Sequence, residues 1–507
     1  MREQLALLPR LLTAHLGLSL FALLLGVAIS LPLAALAARR PWFAQLAQSA
    51  AALIQTVPSL ALLALMVPML GALGAPSIGF LPAFLALVLY SLLPVLANTI
   101  TALTTLPAEV VEAARGVGMN DWQQLTRVEL PLALPVIVAG IRTAAVWTVG
   151  AATLATPVGA DSLGNFIFSG LQTRNPAAVL LGCLAAAALA LLLDGLGKLL
   201  LSGLQRRRRR RTALALGVFT ALYAYAGLAL VSTRHADTDA IRVGAKTFTE
   251  QYILADLLAD RLARASQRPV LVRSSLGSTV AFDALRTGGI DAYVEYSGTI
   301  WATLMHGGAA PADRRQMLEQ IRHYLAAQDV SLVAELGFEN SYALAMRRAQ
   351  AEQLRVRSIA DLARVSSALS MGADYEFFAR PEWAALQRVY GLEFRERRSM
   401  DPSLMYQAVA GGAVDVISAF STDGRIAAED LLVLEDERGA IPPYDALVLV
   451  GRELGEREPA ALAALAQLSH VLDAEQMRRL NLAVDLEHRA VADVARELSE
   501  RLLGQAR

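Results

Sequence analysis

Six long apolar runs dominate the first half of the chain. They centre on about Leu18 to Ala38, Leu46 to Leu70, Ile78 to Leu103, Leu134 to Leu154, Ala177 to Leu201 and Thr212 to Val231. Crossing the ~30 Å hydrocarbon layer takes about 20 apolar residues, and each run has that reach. Gly and Pro interrupt several of them, which membrane helices tolerate. The fourth run is the least clean, because Arg142 lies inside it. An ionisable residue at that depth is expected to face protein or a water path. From Ile241 the pattern changes. Short strands are predicted at Ile241 to Ala245, Val270 to Val272 and Ile290 to Val294. Between them, Thr249 and Glu250 open a helix from about Gln251 to Ala265, and Ser278 begins another. Strands alternating with helices predict a parallel α/β sheet.

The basic residues orient the apolar half. Arg39 and Arg40 follow the first run, Arg115 and Arg127 separate the third from the fourth, and Arg206 to Arg211 separate the fifth from the sixth. Six spans with the amino terminus outside put all three loops in the cytoplasm, as the positive-inside rule requires. Five or seven spans do not. The soluble half then lies outside. The segment from Arg206 to Asp239 also has the order of a signal peptide, but its apolar run is longer than a usual signal core, so an anchor is expected. The predicted organisation is a membrane domain over 1–211, a sixth span and linker over 212–235, and a soluble domain over 236–507.

Composition agrees. Of 507 residues 55% are hydrophobic and 18% charged, and the mean hydropathy is +0.43. Those values exclude a disordered chain, a disulfide scaffold and a purely soluble enzyme. The net charge of zero hides an asymmetry: residues 1–235 carry 16 Lys and Arg against 7 Asp and Glu, and the remainder is acidic by the same margin. The arginine run is wedged between membrane runs without interleaved aromatics, so no nucleic-acid partner is expected. Cys183 permits no intrachain disulfide and reads as a small buried hydrophobe. The six histidines are scattered without ligand spacing, so no metal site is expected.

The loop over 107–135 carries the first specific motif. Glu112-Ala113-Ala114-Arg115-Gly116-Val117-Gly118 precedes Val128-Glu129-Leu130-Pro131. A short helix capped by Gly118, then a helix returning to the membrane at the Leu-Pro pair, is the predicted structure. This segment resembles the EAA loop of ATP-binding-cassette importer permeases. The resemblance implies that Glu112, Ala113, Ala114 and Gly118 couple the permease to an ATPase. No G-x-x-x-x-G-K-[ST] phosphate loop is present in the sequence. ATP is therefore expected to be used by a separate ATPase subunit, with no cofactor bound by this chain. One six-span unit is half of such a pore, so a homodimer in the lipid bilayer is expected.

The soluble half contains an internal echo. Gly289 to Ser297 (GIDAYVEYS) parallels Ala413 to Ser421 (AVDVISAFS), with an aromatic five residues after an Asp in each. Two related lobes are implied, each delivering one ring from the carboxyl end of a strand, the edge at which open α/β sheets bind ligands. Further motifs stand in order: Gly244-Ala245-Lys246-Thr247-Phe248-Thr249-Glu250-Gln251, Glu295-Tyr296-Ser297-Gly298-Thr299, Gly337 to Leu344, Phe420 to Arg425, and Pro442-Pro443-Tyr444. Together they resemble the quaternary-amine (osmoprotectant) substrate-binding family, a two-lobed trap of periplasmic-binding-protein type. A quaternary ammonium has no N–H to donate, so aromatic faces must recognise it, at about 0.5–2 kcal/mol per ring. The resemblance places the cage at Tyr296, Tyr342, Phe420 and Tyr444. Lys246 stands where the family places a polar contact, often glutamine; a cation there is expected to pair with a ligand carboxylate, and Thr299 to offer a hydroxyl to the ligand's polar end. Lys246 in that role favours betaine-type zwitterions over choline.

The expected protein is the permease and binding subunit, not an enzyme, of an importer for glycine betaine, choline, carnitine or a related betaine such as ergothioneine. It is expected in a bacterial inner membrane, with the trap on the extracytoplasmic side. A membrane-anchored ligand sensor is the alternative, but no cytoplasmic segment here is long enough to signal.

Overall fold

The computed structural model describes residues 2–173, 175–266, 268–307 and 314–505. The chain forms two compact units, one of Met1–Ile167 with Ala177–Thr238, the other of Phe168–Pro176 with Asp239–Arg507.

The first unit is helical. Arg2–Ala37, Phe80–Thr104, Leu130–Ala152, Pro176–Gln205 and Arg209–Thr238 contain the long apolar stretches. Pro41–Thr56 and Ser59–Ala72 meet at 97°, so the second predicted run is a broken span rather than a straight one. Pro58 explains the break: it disfavours α geometry in the residue before it, and Val57 is extended (φ −72°, ψ 124°). The described residues thus offer five spans, or six with the bent pair as one. Small residues let the helices approach. A Cβ on Gly26 would lie 1.8 Å from Ser91 Oγ, and one on Gly140 would lie 2.7 Å from the Pro94 carbonyl.

Arg142 faces protein, as its depth requires. Its Nε and Nη2 donate to Asp194 Oδ1 at 3.0 and 2.6 Å, and Lys198 Nζ lies 2.7 Å from Asp194 Oδ2. Gly197 leaves the room, since a Cβ there would lie 2.3 Å from Arg142 Cγ. Arg142 stands three helical turns after Leu130, and Asp194 about as far before Gln205. Cys183 is exposed on its helix, contrary to the buried position expected of it.

The second unit holds two mixed five-stranded sheets. The strands are β1 Ile241–Lys246, β2 Val270–Leu276, β3 Ala292–Tyr296, β4 Val330–Glu339, β5 Tyr342–Arg347, β6 Ser370–Ala373, β7 Glu396–Ser399, β8 Val416–Phe420, β9 Leu431–Val433 and β10 Asp445–Gly451. One sheet has the order β2-β1-β3-β10-β4, the other β7-β6-β8-β5-β9. The all-parallel expectation holds only for β1 with β2 and β3, and for β6 with β7 and β8. β10 runs antiparallel to β3 and β4, and β5 to β8 and β9. The reason is connectivity. Helical crossovers keep strands parallel, whereas β5 and β10 each enter a sheet from the other lobe.

The echo is structural. Arg242 N–H donates to Asp291 Oδ2 at 2.6 Å, and Ser370 N–H to Asp415 Oδ2 at 2.8 Å. Ser297 Oγ accepts the N–H of Asp445 at the start of β10, at 2.8 Å. Ser421 Oγ accepts that of Ser341, just before β5, at 3.0 Å. Each Asp ties its strand to a parallel neighbour, β1 in one sheet and β6 in the other, and each Ser receives the strand that arrives from the other lobe. Only two residues separate the last helix, ending at Thr238, from β1.

Candidate functional site

The two sheets bring their strand ends to one place. Tyr296 ends β3, Phe420 ends β8, Tyr342 begins β5, and Tyr444 immediately precedes β10. The Tyr342 ring lies 5.2 Å from Phe420 and 5.8 Å, edge-on, from Tyr444. Tyr444 lies against Gly298, where a Cβ would come within 2.5 Å of the ring, so only glycine permits that approach. Tyr296 does not touch these rings directly. Phe248 stands between, 6.1 Å from both Tyr296 and Phe420 and parallel to the latter. Phe377 extends the group, 5.1 Å from Tyr342. Burial pushes the phenols of Tyr296, Tyr342 and Tyr444 well above their ordinary range, so all three stay neutral.

Three charged features border the rings. Lys246 is 4% exposed, its Nζ 2.5 Å from Glu295 Oε1 and 4.7 Å above the Tyr296 ring. The ammonium therefore already has a carboxylate partner, which its expected role did not include. Glu295 also accepts from Tyr293 OH at 3.2 Å and from the Tyr296 N–H at 2.8 Å. Arg380 is buried with its Cζ 5.2 Å above Tyr342. It pairs with Glu382 at 3.2 Å, and its Nη2 donates to Tyr444 OH at 3.1 Å, while Tyr444 OH donates in turn to Glu382. Asp374 follows β6, beside Ala419 by register, and its charge acts on the Tyr342 phenol. It is 6% exposed; Oδ1 accepts the N–H groups of Glu376 and Phe377, and Oδ2 has no partner among the described residues. Burial raises its carboxyl above the usual range. Thr299 is buried in the turn after β3.

Two neutral ion pairs, an additional carboxylate and a cluster of rings form a wall suited to a cation that offers no hydrogen-bond donor. Among the described residues, no group of three His, Cys, Asp or Glu has the arrangement to hold a metal ion. Sequence reasoning missed Phe248, Phe377, Asp374, Arg380 and Glu382. Phe248 stood inside a quoted motif two residues after Lys246. The others lie in a stretch without a motif and reach the rings only through folding.

The loop expected to couple to an ATPase is ordered around its glycine. The helix Ala108–Gly116 ends in paired bonds, Gly118 N–H to Arg115 O at 2.9 Å and Met119 N–H to Ala114 O at 3.2 Å. Gly118 has φ +78°, the left-handed conformation this ending needs, and stands one residue beyond the cap itself. Asn120 then caps the short helix Asp121–Gln124, which runs through the π-helical turn Leu125–Glu129 into Leu130–Ala152. The returning helix thus starts nine residues before the Leu-Pro pair, where it was expected to begin. Glu112 and Ala113 lie on the helix surface, Ala114 is buried, and Val117 and Trp122 are exposed.

Comparison with known proteins covers both units. The family described as the substrate binding domain of ABC-type glycine betaine transport systems matches residues 239–500. The family of binding-protein-dependent transport system inner membrane components matches residues 30–210. The chain is 32% identical over 463 residues to the ergothioneine transport permease/ergothioneine binding protein EgtU of Helicobacter pylori, covering 89% of this chain and 82% of that protein. It is 42% identical to the carnitine transport permease protein OpuCB of Listeria monocytogenes, over 36% of this chain and 83% of that one. It is 33% identical to a glycine-betaine-binding protein of Pseudomonas aeruginosa, over 54% of this chain and 90% of that one.

Proposed function

The chain belongs to the ABC-type glycine betaine transport family, as a permease fused to its substrate-binding domain, and from that premise we propose how it recognises its cargo. The cargo is a betaine-type quaternary ammonium compound, glycine betaine, carnitine or ergothioneine, held between Tyr296, Tyr342, Phe420 and Tyr444 with Phe248 completing the cage. Asp374 faces the cationic head. Lys246 spends one of its three donors on Glu295, and the others, with Thr299, meet the ligand carboxylate. The observation that carries this reading is the convergence of rings from both lobes on one place, bordered by a buried carboxylate with an unpartnered oxygen.

The permease works with a separate ATPase subunit, which the loop over 107–135 meets through Glu112, Ala113, Ala114 and Gly118. It assembles as a homodimer in a bacterial inner membrane, with the binding unit on the extracytoplasmic side. The pairing of Arg142 with Asp194 between two long apolar helices supports a membrane-embedded place for both. Calorimetry on the full chain in nanodiscs tests the cargo, with glycine betaine, choline, carnitine, ergothioneine and ordinary amino acids as ligands. The betaines are expected to bind and the amino acids not to. Preference for an amino acid over every quaternary compound would overturn the cage.

A further inference from the structure

Glu250 is 2% exposed in the first turn of the helix Thr249–Ala265, and its carboxylate gathers four segments. Oε1 accepts from Tyr296 OH at 2.5 Å and from Asn340 Nδ2 at 3.0 Å. Oε2 accepts from the Thr422 hydroxyl at 2.5 Å and from Asn481 Nδ2 at 3.2 Å. Tyr296 is the ring that ends β3 in the first lobe. Thr422 is two residues beyond Phe420, the matching ring of the second. Asn340 lies in the first crossing between lobes, and its N–H donates to the Tyr444 carbonyl, in the second crossing, at 2.9 Å. Asn481, on the helix Ala474–Asp485, also donates to the Thr422 carbonyl at 3.0 Å.

All four contacts are donors aimed at an acceptor-only group. Burial raises the Glu250 carboxyl above its ordinary range, and the four bonds oppose that rise by favouring the charged form. A neutral amide of the same shape would turn its own N–H groups toward one pair of these donors. The arrangement therefore calls for a carboxylate rather than for any polar side chain that fits.

We propose that Glu250 is a positioning residue for ligand capture, joining the ring of one lobe to the ring-bearing loop of the other across both crossings. It touches no ligand. It acts through Tyr296, whose phenol it holds, and through Thr422, which fixes where Phe420 stands. This rests on the cage reading above, and the following test separates the two.

The full chain in nanodiscs, with Cys183→Ser and one spin label in each lobe, is compared with Glu250→Gln, Tyr296→Phe, the double variant and Thr422→Val. Two quantities are read: the distribution of distances between lobes without ligand, and affinity for glycine betaine and ergothioneine. Glu250→Gln is expected to broaden the ligand-free distribution and to weaken binding at least tenfold. Tyr296→Phe should add less in the double variant than it costs alone, because both substitutions act on the same hydrogen-bonded cluster. Should Glu250→Gln fail to fold, Thr422→Val keeps the carboxylate with three donors and is expected to broaden the distribution by itself. An unchanged distribution, or losses that simply add, would overturn the role of Glu250. If the parent chain binds neither compound, the cage reading fails while the ligand-free distances still decide the positioning claim.

Discussion

The first lobe ties Asp291 to the N–H of Arg242 and ends its strand at Tyr296; the second ties Asp415 to the N–H of Ser370 and ends its strand at Phe420. Counted from these anchors, Lys246 matches Asp374 and Glu295 matches Ala419. The backbone frame is thus shared while the chemistry at its ligand-facing edge is not. The first lobe presents a paired cation and a phenol held by Glu250. The second presents a carboxylate with one oxygen unpartnered among the described residues and a ring without a hydroxyl. Frame positions answer to hydrogen bonds that any two such lobes must make. Edge positions answer to a ligand whose two ends carry opposite charge.

The largest effects should come from breaking the shared frame. Asp291→Ala leaves a strand N–H and the Arg242 guanidinium without their acceptor, Asp415→Ala leaves a strand N–H, the Ser370 hydroxyl and the Gln350 amide without theirs, and each should cost about 3 kcal/mol in denaturant unfolding. A cost below about 1 kcal/mol for either would end the equivalence of the lobes. Acid sharpens this. Burial alone would raise the Asp415 carboxyl, but the bonds from Ser370 and Gln350 and the nearby Arg347 outweigh it and hold the group below its ordinary range. A lowered native pKa contributes stability above the unfolded value of about 3.9 and loses it as pH falls through the native one. The deficit of Asp415→Ala should therefore be full at pH 7 and shrink below pH 4.

Next comes the contrast in charge. Lys246→Gln should reduce the preference for glycine betaine over choline by about 1.5–3 kcal/mol, measured as a ratio of dissociation constants. It should also destabilise the protein, because Glu295 loses its partner in a buried place. Asp374→Asn should instead weaken both ligands alike, leaving the ratio in place. Truncating rings near the crossings is expected to matter somewhat less: Tyr342→Ala or Tyr444→Ala should weaken binding by roughly 1–3 kcal/mol in calorimetry. The smallest effect is expected from Phe420→Tyr, which keeps the π-face and adds a hydroxyl at a half-buried position. A change above about 0.5 kcal/mol would mean that the missing hydroxyl is itself part of ligand choice.

Much of this frame was legible in the sequence, because it is local. The Asp-strand-aromatic-Ser echo is nine residues long, and the helix starts at Thr249 and Ser278 follow from short-range period, although neither has a side-chain cap and the third strand starts two residues later than expected, at Ala292. The mixed sheets were not legible, since the direction of β5 and β10 depends on which lobe each leaves. All four predicted rings belong to the cluster, yet Tyr296 joins it through Phe248, which was read only as part of a motif. Asp374, Arg380 and Glu382 reach Tyr342 and Tyr444 over separations of 30 to 70 residues that carry no periodic signal. Lys246 was legible as a cation beside the site, but its pairing with Glu295, on a different strand, was not. In the apolar half the break in the second span was not read from the sequence, since hydropathy averaged over the run conceals the local effect of Pro58.

The two-residue junction between Thr238 and Ile241 has a kinetic meaning. A binding protein that diffuses freely must find its translocator, and capture then depends on how many copies the cell makes. Here every translocating chain carries one trap on a short leash, and a tether of that kind acts like a millimolar local supply. Docking contacts can then be weak and still be occupied most of the time. Uptake then depends on the number of translocating chains rather than on a separate supply of traps.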